Sequence, residues 1–369
     1  MKIEDIAAVI EQIVPPKLAQ DWDNVGLLVG DPQKAVNNIL LTIDVTKEVV
    51  SEAKRLETDL ILSYHPVIWD GLKKVTAQGP TGTIYELVQA DIAVFSVHTA
   101  LDAAAGGVND GLAEIIGICD AEAIGDYVKP GKGDSYKLVV FIPVDAVEKV
   151  SNAIFSAGGG VIGNYSHCGF TAYGEGSFLA LEGAKPAIGR RGRLERVSEV
   201  RFETIVPAGK VADCIAAMRK AHPYETCAFD CYRLHNTEKY GLGRIGKLRK
   251  ALAVKEIVRR LKRGTGVKAV GIVGKESRMV RQAAVCAGSC GKIINAVIAA
   301  DTDCYVTGEL KHHHALAAQE ANLTCICLSH SVSERFILKK LAGQLRNRLK
   351  NVKITVSKKD AEPFNWKTL

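Results

Sequence analysis

Five residues with metal-ligand chemistry stand just past apolar runs in this chain of 369 residues. His65 follows DLILSY, His98 and Asp102 lie in the HTALD that follows IAVFSV, and His330 and Glu334 lie in the HSVSE that follows LTCICLS. Imidazole nitrogen is a borderline ligand and carboxylate oxygen a hard one. That mixture suits zinc, manganese, iron or cobalt, whereas calcium and magnesium sites are built from oxygen alone. In HSVSE the histidine stands at a strand end and the glutamate in the first helical turn, so both can point back at one centre. A second group, Glu309 with Lys311, His312, His313 and His314, follows DCYVTGEL. Neighbours on a helix project about 100° apart, so at most two of these histidines can serve one centre. They read either as proton-transfer or substrate-contacting groups or as a solvated helix start.

The elements that must position these residues alternate. NNILLTIDV (ending near Asp44), DLILSYHP and IAVFSV read as strands, with TKEVVSEAKRLE and TGTIYELVQAD as helices between them. VKAVGIVG, QAAVCAGSCG, DCYVTGEL, LTCICLSH and VKITVS repeat the pattern at the other end, where SERFILKKLAGQLRNRL is an amphipathic helix. The expected fold class is therefore α/β: two related lobes with mainly parallel or mixed sheets, over residues 1–130 and 241–369, whose functional groups belong at strand carboxyl ends. Residues 131–240 read as strand, helix, strand, strand, helix, strand, an inserted α+β domain of the ferredoxin-like plan.

Composition narrows the classes. The chain is 47% hydrophobic and 24% charged, which is globular and neither fibrous nor disordered. Lys+Arg against Asp+Glu runs 9 to 20 in residues 1–130, 14 to 12 in 131–240 and 25 to 9 in 241–369. Opposite charge on the two ends favours their docking, so the net +7 does not by itself point to nucleic acid. No apolar run is long enough for a membrane span. The amphipathic MKIEDIAAVIEQIVPP is not a secretory leader, and ten cysteines without a C-x-x-C pair fit reduced thiols, so a cytoplasmic protein is expected.

Two glycine patterns are decoys. GLGRIG at Gly241, Gly243 and Gly246 has the spacing of a dinucleotide fingerprint but follows polar HNTEKY, and reads as a linker returning from the insert. AGGGVIG lacks the Lys-Ser/Thr of a phosphate loop. In the insert, His222 and Glu225 of HPYET read mainly as a turn fixed by Pro223, and the basic run Arg190–Arg196 as a solvated face.

DWDNVGLLVGDP, LSYHPVIWDG, HTALDAAAGGVND, VTGELKHHHALAA and LSHSVSERFIL, in that order, resemble the Nif-three-like dinuclear metal-centre family, also called the GTP cyclohydrolase I type 2 homolog family. GNYSHCGFTAYGEGSF and HPYETCAFDCYRL resemble the PII/CutA-like insert of its longer bacterial members. The resemblance implies two α/β lobes around a two-metal site, assembled as a toroidal homohexamer. Carried over residue by residue, the family's ligands fall on His65, Asp102, His330 and Glu334. Tyr64 stands where the family has a fifth ligand, the first histidine of H-H-P. A neutral phenol is a poor ligand, so one or two ions per chain are expected, zinc before iron, manganese or cobalt. By the same resemblance His98 orients Asp102, and Glu309, His312 and His313 match a T-G-E followed by His-His. Catalytic candidates are thus His98, Glu309, His312 and His313. The expected function is a metal-dependent hydrolase acting on a nucleotide or related small anion, the alternative a non-enzymatic metal-handling or regulatory scaffold with a ligand-sensing insert. Neither membrane nor nucleic acid is an expected partner.

Overall fold

Short apolar runs closed by polar turns become the strands that carry the candidate residues. The computed structural model describes residues 1–125, 135–162, 165–234, 241–289 and 291–365. In chain order its strands are β1 (Gly26–Val29), β2 (Asn38–Thr42), β3 (Leu60–Ser63), β4 (Ala93–Ser96), β5 (Ile118–Ile124), β6 (Ser135–Pro143), β7 (Gly169–Leu179) and β8 (Leu194–Pro207). They continue with β9 (Phe229–Arg233), β10 (Gly243–Ala253), β11 (Gly271–Val273), β12 (Met279–Cys286), β13 (Cys304–Thr307), β14 (Thr324–Cys327) and β15 (Lys353–Val356). The chain forms two compact units, Met1–Val128 with Lys239–Leu369, and Lys129–Glu238.

The first unit holds two mixed sheets, ordered β1-β4-β3-β2-β15 and β11-β14-β13-β12-β10-β5. The expected runs are β2 to β4 at one end and β11 to β14 at the other. Their centres β2, β3, β4 and β12, β13, β14 pair in parallel. Strands β3, β4 and β13 are buried at every residue, as parallel strands covered on both faces must be. The sheets do not keep to their own ends of the chain. β15 pairs in parallel with β2, Lys353 opposite Asn38 through Val356 opposite Leu41, and β5 pairs with β10 in the other sheet. Each lobe thus completes its sheet with a strand from the opposite end.

GLGRIG is not a linker. Gly243 and Gly246 lie in β10, between β12 and β5, and close packing explains their type: a Cβ at Gly243 would stand 2.8 Å from the Val285 carbonyl oxygen, and one at Gly246 2.6 Å from Ile118 Cγ2. Between them in the chain, buried Arg244 donates to the carbonyls of Gly241, Gly243 and Ala103 and to the Asp110 carboxylate. With Lys340 beside Glu114 at 3.4 Å, it brings the basic end of the chain onto the acidic one. The helix Ile3–Ile13 buries Ile3, Ile6 and Ile10, one face at helical spacing, in a core shared with Leu338, Leu341 and Leu345 of the helix Ile337–Arg348.

In the second unit, β6, the helix Val147–Ser156, β7, β8, the helix Val211–Ala221 and β9 follow one another. The sheet order β7-β8-β6-β9, antiparallel throughout, is the ferredoxin-like plan expected. Val150, Ile154, Cys214 and Met218 of its helices pack on Leu138, Val140, Ile142 and Phe202 of its sheet. Among the described residues no helix is long and apolar enough to cross a membrane, and the nine described cysteines are all free thiols.

Candidate metal centre

The site lies at the carboxyl ends of parallel strands from both sheets of the first unit. Sheet pairing runs on past the last strand residues: Tyr64 donates its N–H to Thr42 O at 2.9 Å, His65 to Ile43 O at 3.0 Å and His98 to Tyr64 O at 2.8 Å. In the other sheet Leu328 donates to Thr307 O, Ser329 to Gly308 O and Glu309 to Gly288 O. The side chains are therefore held by the sheets rather than by free loops.

His65 and His330 converge on one carboxylate. His65 Nε2 stands 3.5 Å from Glu334 Oε2, and His330 Nε2 3.3 Å from Glu334 Oε1. One ligand atom from each of the three lies within 4.8 Å of the others. The outer nitrogens also have partners: His65 Nδ1 meets Asp44 Oδ1 at 2.8 Å, and His330 Nδ1 lies 3.6 Å from Glu309 Oε1. A carboxylate on Nδ1 favours the proton there and leaves the Nε2 lone pair facing inward, the tautomer a metal requires. Burial pushes the Asp44 carboxyl up, but the bond and charge of His65 outweigh it and hold Asp44 below its ordinary value. Burial likewise keeps His330 below its ordinary value, with Glu309 opposing it in part.

Glycine makes room for the carboxylate. Gly288 has φ +69°, and a Cβ there would stand 2.7 Å from Glu334 Oε1 and 3.5 Å from His330 Nε2. Its N–H donates to Ser333 Oγ at 2.9 Å, and that hydroxyl donates to His330 O at 2.6 Å. Asn109 Oδ1 accepts from Ala287 N at 2.8 Å, fixing the residue before it. Two imidazoles and a carboxylate around such a cradle are compatible with a divalent metal.

Of the four residues expected to bind metal, His65, His330 and Glu334 form one group, and Asp102 lies near enough to feel the charge of His65. Asp102 is buried and accepts a hydrogen bond from the hydroxyl of Tyr64, which is itself buried. Burial pushes the Asp102 carboxyl up to about 6, against the lowering effects of Tyr64, His98 and His65. Tyr64, at the position of the family's fifth ligand, thus holds the carboxylate of another expected ligand. His98 Nδ1 meets Asp23 Oδ1 at 2.8 Å, and the charge of His98 also bears on Asp102. Asp23 also accepts from the N–H and hydroxyl of Thr99. Burial raises its carboxyl, but His98 and Thr99 bring it below the ordinary value.

Glu309 reaches the cluster through His330, whereas His312 and His313 lie exposed at the start of the helix His312–Glu320. His314 turns inward against Gly291. In the insert, His222 reads as expected: its Nε2 bonds Phe141 O at 2.9 Å and its Nδ1 accepts from Tyr224 N at 3.1 Å, closing the HPYE turn. Asp23, Asp44, Gly288 and Ser333 were not singled out by the sequence reasoning. Asp44 carried a signal, an acidic residue past an apolar run, and Ser333 lies inside HSVSE; Gly288 carried none.

Residues 1–363 match the family described as Duf34/NIF3 (NGG1p interacting factor 3). The chain is 38% identical over 369 residues, 98% of each protein, to a GTP cyclohydrolase 1 type 2 homolog of Bacillus subtilis. It is 40% identical over 342 residues, 90% of this chain and 88% of the relative, to one from Mycobacterium tuberculosis. Among solved structures, a Bacillus cereus protein related to NIF3 is 36% identical with a TM-score of 0.75, covering 99% of both chains. A Staphylococcus aureus protein is 28% identical with a TM-score of 0.83, again over 99% of both.

Proposed function

Because the chain belongs to the Duf34/NIF3 family, we propose that it is a metal-dependent hydrolase acting on a nucleotide or a related small anion. The observation that carries this reading is the convergence of His65 Nε2 and His330 Nε2 on the two oxygens of buried Glu334. Two histidines and a glutamate form a ligand set of catalytic zinc sites, which keep one position open for water or substrate. A divalent ion there, zinc before iron, manganese or cobalt, would supply a Lewis acid and a water of lowered pKa. The chain's own groups do the rest. Asp44 fixes the outward nitrogen of His65, Glu309 stands 3.6 Å from that of His330, Tyr64 holds Asp102 by its carboxylate, and Asp23 fixes Nδ1 of His98.

The name of the relatives favours a nucleotide, and the basic excess of residues 241–369 favours an anion. The proposal includes a homohexamer with one or two ions per chain, the second held more weakly because Tyr64 replaces an imidazole. The test is to count metal per chain in the wild type and in His330→Ala after zinc reconstitution, then follow a nucleotide panel by chromatography. Near-stoichiometric metal and nucleotide turnover in the wild type, both lost in His330→Ala, are expected. Fewer than about 0.2 metals per chain in excess zinc would remove the site. Full metal with no nucleotide consumed would leave a metal-handling scaffold instead.

A further inference from the structure

Two tryptophans stand in solvent beside the centre. Trp22 is 63% exposed and Trp69 52%, although an indole is usually mostly buried. Both meet His98 edge to face, Trp22 with ring centroids 5.8 Å apart at 73° and Trp69 at 5.2 Å and 84°. Trp69 also lies 6.1 Å from the ring of His65, and His65 and His98 are 5.3 Å apart. The indoles come from different loops, one before β1 and one after β3, yet those loops are tied. Asn24 Nδ2 donates to Ile68 O at 2.7 Å, joining the segments that carry them. Asp23, next to Trp22, is fixed by His98 and Thr99. The loops that carry both rings are thus tied in place, and the rings, beside His98, leave large apolar area open to water.

We propose that Trp22 and Trp69 form a stacking subsite that takes the planar heterocyclic ring of the substrate and holds it beside His65 and His98. The proposal rests on the hydrolase reading and names the part of the substrate that reading leaves open. Stacking suits the geometry because an aromatic platform needs only a π face from its ligand and no complementary hydrogen-bond pattern. The pre-set loops lower the ordering cost on binding. A sugar phosphate without a base has no such face, so the subsite selects for the ring and not for the anion.

The test is equilibrium dialysis of the zinc-reconstituted full chain against inosine, which has the ring without phosphate, and ribose 5-phosphate, which has the phosphate without the ring. Inosine is expected to bind, and Trp22→Leu and Trp69→Leu each to weaken it by about 5- to 150-fold, the span of one base stacked on one aromatic ring. Trp22→Phe, which restores a flat ring, is expected to recover part of the loss. Metal per chain and the oligomeric state by light scattering are expected to be unchanged in all three variants. Equal inosine affinity in wild type and both leucine variants overturns the proposal, as does ribose 5-phosphate competing as well as inosine does. Dissociation of the assembly in Trp22→Leu also overturns it, because the indoles would then be a contact between copies of the chain. The wild-type metal count, read separately, reports on the centre itself, so failure of the metal reading and failure of stacking give different results.

Discussion

Gly288→Ala separates the cost of a backbone conformation from the cost of crowding the centre. An L-residue in the left-handed region costs roughly 1–2 kcal/mol, and Gly288 sits there at φ +69°. Gly266, which ends the helix Val254–Thr265, has nearly the same conformation at φ +76°, and a Cβ there would meet nothing within 4 Å. Gly266→Ala is therefore the matched control. Both variants should lose about 2–8 °C of melting temperature from the conformational cost. Only Gly288→Ala puts a carbon 2.7 Å from Glu334 Oε1, a separation that real Cβ atoms do not adopt. The carboxylate must retreat, and Glu334, 2% exposed in a close-packed interior, has no solvent to turn into. Displacing a ligand set in this way should lower zinc affinity on the order of 10–100-fold, as loss of a supporting contact does. Zinc affinity by competition with a chromophoric chelator, alongside thermal unfolding, reads both terms. If Gly288→Ala binds zinc as tightly as Gly266→Ala, the cluster of His65, His330 and Glu334 is not where the metal goes.

Asp44→Asn should also weaken zinc by about 10–100-fold, because it removes the carboxylate on His65 Nδ1; unchanged affinity would show that Asp44 does not set the histidine. Arg244→Ala should cost about 3–5 kcal/mol in denaturant unfolding, since it strips the partner from Asp110 and from several buried carbonyls; a loss under about 1 kcal/mol would mean that water replaces the guanidinium. Burial pushes the Cys325 thiol from its ordinary 9.0 up to about 12. The folded state therefore holds a proton that the unfolded chain releases, so the stability this thiol contributes is intact below pH 9 and is lost as pH rises toward 12. Urea unfolding should fall more between pH 8 and 10.5 for the wild type than for Cys325→Ala, and equal falls would refute the assignment.

The strand ends were legible because a fully buried parallel strand is a short, unbroken apolar run, and in both halves the chemistry-bearing residues stand immediately after one. The edges were not. β5 and β15 have ordinary strand sequences, and nothing local says that each pairs with the far end of the chain. β10 was hidden because GRIGKLRKALA mixes glycine and charge, and its glycines answer to the neighbouring strands rather than to a turn. Of the four expected ligands, His65, His330 and Glu334 form one group. Tyr64, one residue before His65, donates to the Asp102 carboxylate, and no spacing rule foretells a hydrogen bond across 38 positions. His98 Nδ1 likewise bonds an aspartate 75 positions earlier. Long-range polar pairing is what a single sequence conceals best.

The last strand has a consequence for synthesis. Until β15 emerges, β2 is an open parallel edge carrying Ile39, Leu40 and Leu41, the kind of edge that recruits other chains. Residues 353–356 leave the ribosome long after residues 38–42, so β2 must wait for them before its edge is covered. A nascent or prematurely terminated chain is thus prone to aggregate through this uncovered edge. Growth conditions that raise premature termination should deposit N-terminal fragments in the insoluble fraction while full-length protein stays in solution.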